Sequence, residues 1–253
     1  MSAFVMSDKY PKLCKAIEIF GYDIIPSDKI LQFNTPEQRH IDMQMLKINN
    51  DIFLLKECNN LKRLLENKDY NIILCKNNIN GKYPHCVALN CLYISGKLYG
   101  REEAIDVSVK NYCKKNGIEI VDVKQGYTRC STAVIGKNSA ITADSTIYNA
   151  LTKNGIDVLK IDSGSIRLDG YDYGFIGGAC TMIDDGTVAF FGDIKTHPNF
   201  RKIERFCIIH NVKIINLAEN KPLTDVGGAV KIKVGAVFLL ASLSKVGVNY
   251  GLD

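Results

Sequence analysis

An arginine and a cysteine stand side by side at Arg129-Cys130, just before the apolar run STAVIG (residues 131–136). A cation beside a thiol favours the thiolate, which is the nucleophilic form. The pair therefore predicts a reactive cysteine at a strand entrance, with Arg129 available to hold an anion in the two-pronged way that lysine cannot. The chain has nine cysteines, and cysteine is among the most buried residue types. Cys14, Cys58, Cys113 and Cys207 belong to or border amphipathic helical stretches, and Cys75, Cys86, Cys91 and Cys180 lie in or next to apolar strands. Those eight have a packing explanation. Cys130 is the one whose neighbour also suggests chemistry.

Four further positions can carry chemistry. Asn90 interrupts VALNCLY, read as an apolar strand, and is a candidate ligand contact. Lys195 and His197 lie in GDIKTHPNF, just before a helix whose first turn suits Pro198. Thr196 or His197 fits its cap, and Lys195 beside the helix N-terminus suggests an anion site. Asp225 precedes Gly227-Gly228 and reads as a turn aspartate or a site carboxylate. If Cys130 is a nucleophile, His85 or His197 is its candidate base. Four scattered histidines and no paired Cys/His spacing predict no metal site. The glycine-rich stretch at residues 170–179 lacks phosphate-loop spacing, so no cofactor is expected and its glycines read as close backbone packing.

Those residues need a frame, and the frame repeats. Five times an amphipathic helix ends in a polar or glycine step, and an apolar strand follows. The stops are Gly21, Asp69, Gly117, Gly155 and Asn211, residue types that tolerate or commonly close a helix. In four units two short apolar runs about a turn precede the helix: residues 45–57, 87–100, 131–144 and 179–193. Asp185-Gly186 in the last is a hairpin signal. The unit is thus strand, strand, helix, strand. Helix faces read as Leu13, Ile17 and Phe20; Leu61, Leu64 and Leu65; Ile105, Val109 and Tyr112; Ile147, Ala150 and Leu151; Phe200, Ile203 and Cys207. The first unit lacks its leading hairpin, whereas the C-terminal AVKIK and VGAVFLLAS are spare. C-terminal strands that complete the first module would close a ring and remove sheet edges. The expectation is a single domain over residues 1–253, a five-fold pseudo-symmetric α/β propeller.

Composition is that of a globular chain: 253 residues, 46% hydrophobic, 23% charged, net charge +5. Only seven of 32 basic residues are arginine, and the lysines are scattered. That disfavours a nucleic-acid surface. The apolar run at residues 234–244 is too short to span a membrane and reads as a buried strand. Free cysteines without an export-like N-terminus suggest the cytoplasm.

The repeat and four short motifs resemble the pentein fold of the guanidino-group-modifying enzymes, and the chain is similar to an uncharacterised bacterial family with that fold. Tyr127-Thr128-Arg129-Cys130 resembles their aromatic-Thr-Arg-Asp run, and Gly177-Gly178 their Glu-Gly-Gly. Asp193-Ile194-Lys195-Thr196 is similar to an Arg-Thr segment, which in the enzymes faces a substrate carboxylate, and Leu223-Thr224-Asp225 to His-x-Asp. The resemblance implies a central ligand pocket with Cys130 and Asp225 as catalytic candidates and Asn90, Arg129, Lys195 and His197 as contacts. The chain departs from the family at the chemistry. The carboxylate positions are Cys130 and Ile176, the acid/base histidine is Leu223, and the last cysteine is Cys207 rather than a C-terminal nucleophile. Arginine or agmatine deimination is therefore not expected. The leading expectation is binding of a small polar metabolite in the central pocket. Two others stand beside it: an interaction protein resembling the pentein ribosome anti-association factor, with a protein or ribosome partner, and a Cys130-dependent hydrolase or transferase.

Overall fold

The computed structural model describes residues 2–66 and 70–233. Its strands form five separate three-stranded sheets. The first contains β1 (Ser2–Met6), followed by α1 (Pro11–Glu18) and β2 (Asp23–Pro26). After a short helix α2 (Ile41–Gln44) the second runs β3 (Met45–Ile48), β4 (Asp51–Leu54), α3 (Asn59–Leu65), β5 (Asn71–Leu74). The third is β6 (Leu92–Ile94), β7 (Lys97–Gly100), α4 (Val107–Lys115), β8 (Ile120–Asp122). The fourth is β9 (Thr132–Gly136), β10 (Ser139–Thr142), α5 (Ser145–Lys153), β11 (Asp157–Lys160). The fifth is β12 (Cys180–Asp184), β13 (Thr187–Phe190), α6 (Phe200–Ile209), β14 (Lys213–Asn216). In each of these four the hairpin partner is antiparallel and the strand after the helix is parallel.

The last described strand, β15 (Ala229–Lys233), supplies what the first unit lacks. It runs antiparallel to β1, from Ser2 opposite Lys233 to Met6 opposite Ala229. The first and last described strands thus share one sheet, which pairs the strand edge that the truncated first unit would expose. The second spare run, residues 234–242, lies outside the described residues, as do Asp69 and the apolar run at residues 234–244.

Local chemistry explains the units. Gly21, Gly117, Gly155 and Asn211 all have positive φ, between 55° and 81°, the left-handed step that ends a helix. Asp106 and Asp144 cap α4 and α5 by accepting backbone N–H bonds in the first turn. The N-terminus of α3 is capped from a distance: Asp28 accepts from the Asn60 and Leu61 amides. Two sequence expectations fail here. Neither Thr196 nor His197 caps α6; Asp193 instead caps the short 3-10 turn Ile194–Thr196, and Asn199 begins the helix. Phe20 is 44% exposed rather than core, because α1 ends at Glu18 and the chain is already turning. The other helix stripes bury at Leu13, Ile17, Leu61, Leu65, Val109, Ile147, Leu151, Ile203 and Cys207.

Neighbouring sheets touch in sequence. Lys47 Nζ of β3 donates to the Lys231 carbonyl of β15, and Lys231 Nζ donates to the Ile183 carbonyl of β12. His210, just after α6, meets Asp157 of β11 at 2.9 Å. Ser95 between β6 and β7 donates to Asn138 between β9 and β10, and Tyr112 of α4 donates to Asp51 of β4.

Candidate functional site

Five chain segments converge just before the first strands of the sheets. Met43, Asn90, Cys130, Gly178 and Gly227 each stand two residues before β3, β6, β9, β12 and β15. A circle of hydrogen bonds joins these segments. Asn90 Nδ2 donates to the Asp42 carbonyl at 3.1 Å, and Asn90 Oδ1 accepts from the amides of Arg129 and Cys130 at 2.9 and 3.1 Å. The Gly178 amide donates to the Cys130 carbonyl at 3.0 Å, the Val226 and Gly228 amides donate to the Gly178 carbonyl, and the Asp42 amide closes the circle on the Gly227 carbonyl at 3.3 Å. Two glycines are dictated by the close approach. A Cβ on Gly177 would lie 2.3 to 2.6 Å from three backbone oxygens, and one on Gly178 would lie 1.9 Å from Asp225 Oδ1. This is the reason for the double glycine at that turn.

Cys130 lies inside this hub. Its Sγ is 2.8 Å from Asp42 Oδ2, to which the thiol donates, and it accepts from Asn90 Nδ2 at 2.9 Å. It is fully buried, and burial together with the Asp42 and Asp225 carboxylates pushes its pKa well above the ordinary thiol value. The expected acidified thiolate beside Arg129 is therefore not what the structure holds. Arg129 turns away and donates from Nη1 to the Thr132 carbonyl at 3.0 Å. Desolvation outweighs a cation that does not reach the sulfur. Asp42 is also wholly buried; desolvation, then repulsion from Asp225, pushes its carboxyl up to about 8.

Asp225 takes part in the hub as a backbone organiser. Its carboxylate accepts from the Phe175 and Gly227 amides, both at 2.9 Å, and lies 3.9 Å from His40 Nδ1. Asn90 is wholly buried, but it precedes β6 instead of lying within a strand. The sequence run 87–92 misled because a 3-10 turn at His85–Val87 and a further turn at residues 88–89 occupy it before β6 begins. Lys195 is exposed and His197 is buried beside Asn199, whose amide donates to His197 Nδ1. Neither shares a contact with the hub. His85 is exposed, so neither proposed histidine base approaches Cys130.

The residues that sequence reading missed are His40 and Asp42. They were legible in principle. Glu37, Arg39, His40 and Asp42 fall within the eight positions before the apolar run MLKI, the place held by Asn90 and by Arg129-Cys130 before their own hairpins. His40 Nε2 and Asp42 Oδ1 are buried without a hydrogen-bond partner among the described residues.

Beyond the hub the strands β3, β6, β9, β12 and β15, one from each sheet, line one pocket of about 280 Å³. Arg129 and Asp42 line it where the strands begin, and Lys47 and Lys231 line it further along β3 and β15. Arg129 is half-buried and makes no ion pair among the described residues. Burial, then the neighbouring Lys233 and Lys231 charges, lowers the pKa of Lys47. No other acidic residue lines this pocket among the described residues.

Residues 4–230 match the profile of a family of unknown function (DUF6873). The chain belongs to this family. No curated protein matches it. Solved structures match over most of its length. One is the dimethylarginine dimethylaminohydrolase (DDAH) of Pseudomonas aeruginosa, a cysteine-to-serine mutant complexed with citrulline. It has a TM-score of 0.56 and 8% identity, with 92% of this chain and 98% of that chain covered. Another is SxtG, an amidinotransferase from Microseira wollei in saxitoxin biosynthesis, with a TM-score of 0.53 and 11% identity over 83% of this chain and 76% of that one. A third is a putative peptidyl-arginine deiminase, with a TM-score of 0.53 and 10% identity over 92% and 96%. The fold is therefore the pentein fold of the guanidino-group-modifying enzymes. No helix among the described residues is long and apolar enough to cross a membrane.

Proposed function

We propose that this chain is a single-domain, closed five-fold propeller that binds a small anionic metabolite in its axial pocket and does not hydrolyse guanidines. The circle of hydrogen bonds through residues 42, 90, 130, 178 and 227 supports closure. One observation carries the functional reading: a pocket bounded by all five sheets holds Arg129, Lys47 and Lys231 against the single carboxyl of Asp42. Three cations face one carboxyl, which burial pushes up to about 8 and so toward its neutral form, and the pocket carries net positive charge. An anion there gains charge-assisted bonds from Arg129 and relieves repulsion among the lysines. The guanidine reaction needs a nucleophile with a base in reach. Leu223 is a core residue without a proton to give, and Cys207 is buried in α6.

The test is titration calorimetry with small mono- and dicarboxylates and phosphate esters, each paired with an uncharged amide or alcohol of equal size. The anions bind and the neutral partners do not. Equal affinity for both would sink the reading, and citrulline release from arginine or agmatine above a no-enzyme control would sink the denial of hydrolysis.

A second reading keeps Cys130 as a nucleophile, supported by a carboxyl group 2.8 Å from its sulfur. In its ionised form Asp42 would take the thiol proton, Asp225 would steady His40, and the hub would have to open to admit substrate. Timed iodoacetamide labelling with mass spectrometry separates the readings. Cys130 labels among the slowest of the nine under the first, and ahead of the other buried cysteines under the second.

A further inference from the structure

A second cavity lies off the axis, between the loops that flank sheets four and five. It measures about 130 Å³, and its chemistry is opposite to that of the axial pocket. Gln125, Ser131, Asp144, Asp162, Tyr173 and Phe175 line it, and among the described residues no lysine, arginine or histidine does. Ser131 is 3% exposed, yet its Oγ has no hydrogen-bond partner among the described residues. A buried hydroxyl without a partner costs free energy that a bound polar group would recover.

The two carboxylates are differently employed. Asp144 Oδ1 caps α5 through the Thr146 and Ile147 amides at 2.7 and 2.9 Å, whereas among the described residues Oδ2 has only a long 3.4 Å contact from Gln125. Burial pushes the Asp144 carboxyl up, but the bonds from Thr146 and Ile147 outweigh it and hold the pKa below the ordinary value. The group is therefore ionised with one oxygen to spare. Asp162 Oδ2 accepts from Asn199 at 2.8 Å, and no donor to Oδ1 is found among the described residues. A nearby cation, Lys160, is engaged elsewhere, donating to Ser145 Oγ at 2.7 Å and lying over the Tyr148 ring. Tyr173, 43% exposed, meets Phe175 edge-on, with ring centroids 6.3 Å apart. A tyrosine face beside two carboxylates attracts a cation.

We propose that this cavity binds a small primary alkylammonium ion, its charge between Asp144 and Asp162, its chain against Tyr173 and Phe175, and one N–H on Ser131 Oγ. Size limits the guest. A cavity of about 150 Å³ holds benzene, so this one suits an amine of about four or five carbons. The site is independent of the axial pocket, which shares none of these residues.

The experiment is a ¹H–¹⁵N titration of the full chain with n-butylammonium, n-butanol and butyrate. Butylammonium moves the amides of Ser163, Gly164 and Gly174 to saturation in the millimolar range, butanol is at least about fivefold weaker, and butyrate leaves them in place. Asp162→Asn and Tyr173→Ala, both at exposed positions, each weaken butylammonium about three- to tenfold. The proposal is overturned if butanol matches butylammonium, if neither variant changes the affinity, if the saturating shifts fall elsewhere, or if no shift saturates at roughly tenfold above the millimolar range.

Discussion

The hub and the pocket beyond it are made by the same five chain segments a few residues apart, yet they are opposites. At the hub, side chains are buried, amides are shared between neighbouring segments, and two glycines leave space already filled by Asp225 and by backbone oxygens. Along the strands that follow, the walls part to leave about 280 Å³ with cations and few acids. A thiol in the first place is pushed toward its protonated form by burial; a guanidinium in the second is half-buried and lines the pocket. Ionisable residues three or fewer positions apart thus do different work, and the divide is set by whether the neighbouring segment closes over them.

The most severe way to break this contrast is to spoil the hub. Gly178→Ala places a methyl 1.9 Å from Asp225 Oδ1 and is expected to cost about 3 kcal/mol or more. Soluble yield and melting temperature report it, and a normally stable variant would mean that the segments are not tightly joined. Asn90→Leu comes next. It strips the acceptor from the Arg129 and Cys130 amides and the donor from Asp42 and Cys130. Urea unfolding should show a loss of about 2–4 kcal/mol, from orphaned buried groups at roughly 1–3 kcal/mol each.

A subtler test uses pH. Burial places the folded pKa of Asp42 near 8, above the unfolded carboxyl at about 4. Between those values the folded chain holds a proton that the unfolded chain has lost, so stability falls as pH rises through the window. His40, whose pKa burial lowers, acts in the opposite sense, costing stability only at pH below about 6.5. From pH 6.5 to 8 the carboxyl term therefore stands largely alone. Melting temperature should drop across that range in the wild type and drop less in Asp42→Asn; parallel curves would show Asp42 to be ionised and solvated. The smallest effect belongs to the pocket. Arg129→Gln should leave the melting temperature nearly unchanged and weaken the anion about tenfold, equivalent to about 1.4 kcal/mol. Loss of stability without loss of affinity would move Arg129 from the pocket to the hub.

The sequence alone determined the repeat. Apolar runs at strand spacing, stripes at helical spacing and glycine or asparagine stops are local signals, because each follows from what a single turn or strand can bury and close. The missing hairpin of the first unit and the spare AVKIK even foretold that β15 would pair with β1, as it does. The candidate site was only half legible. Asn90, Arg129, Cys130 and Asp225 were found because they break local patterns, and the first, third and last do meet at the hub. Lys195 and His197 also break a pattern, yet they stay with the start of α6 and Asn199. His40 and Asp42 went unseen because they look like ordinary polar linker residues until Asp225, Asn90 and Cys130 are brought against them from distant segments. Whether Cys130 is acid or inert depends on a carboxyl 88 positions away and an amide 40 positions away. Desolvation and charge act through space, so only the tertiary structure could decide that the thiol stays protonated and that Arg129 looks the other way.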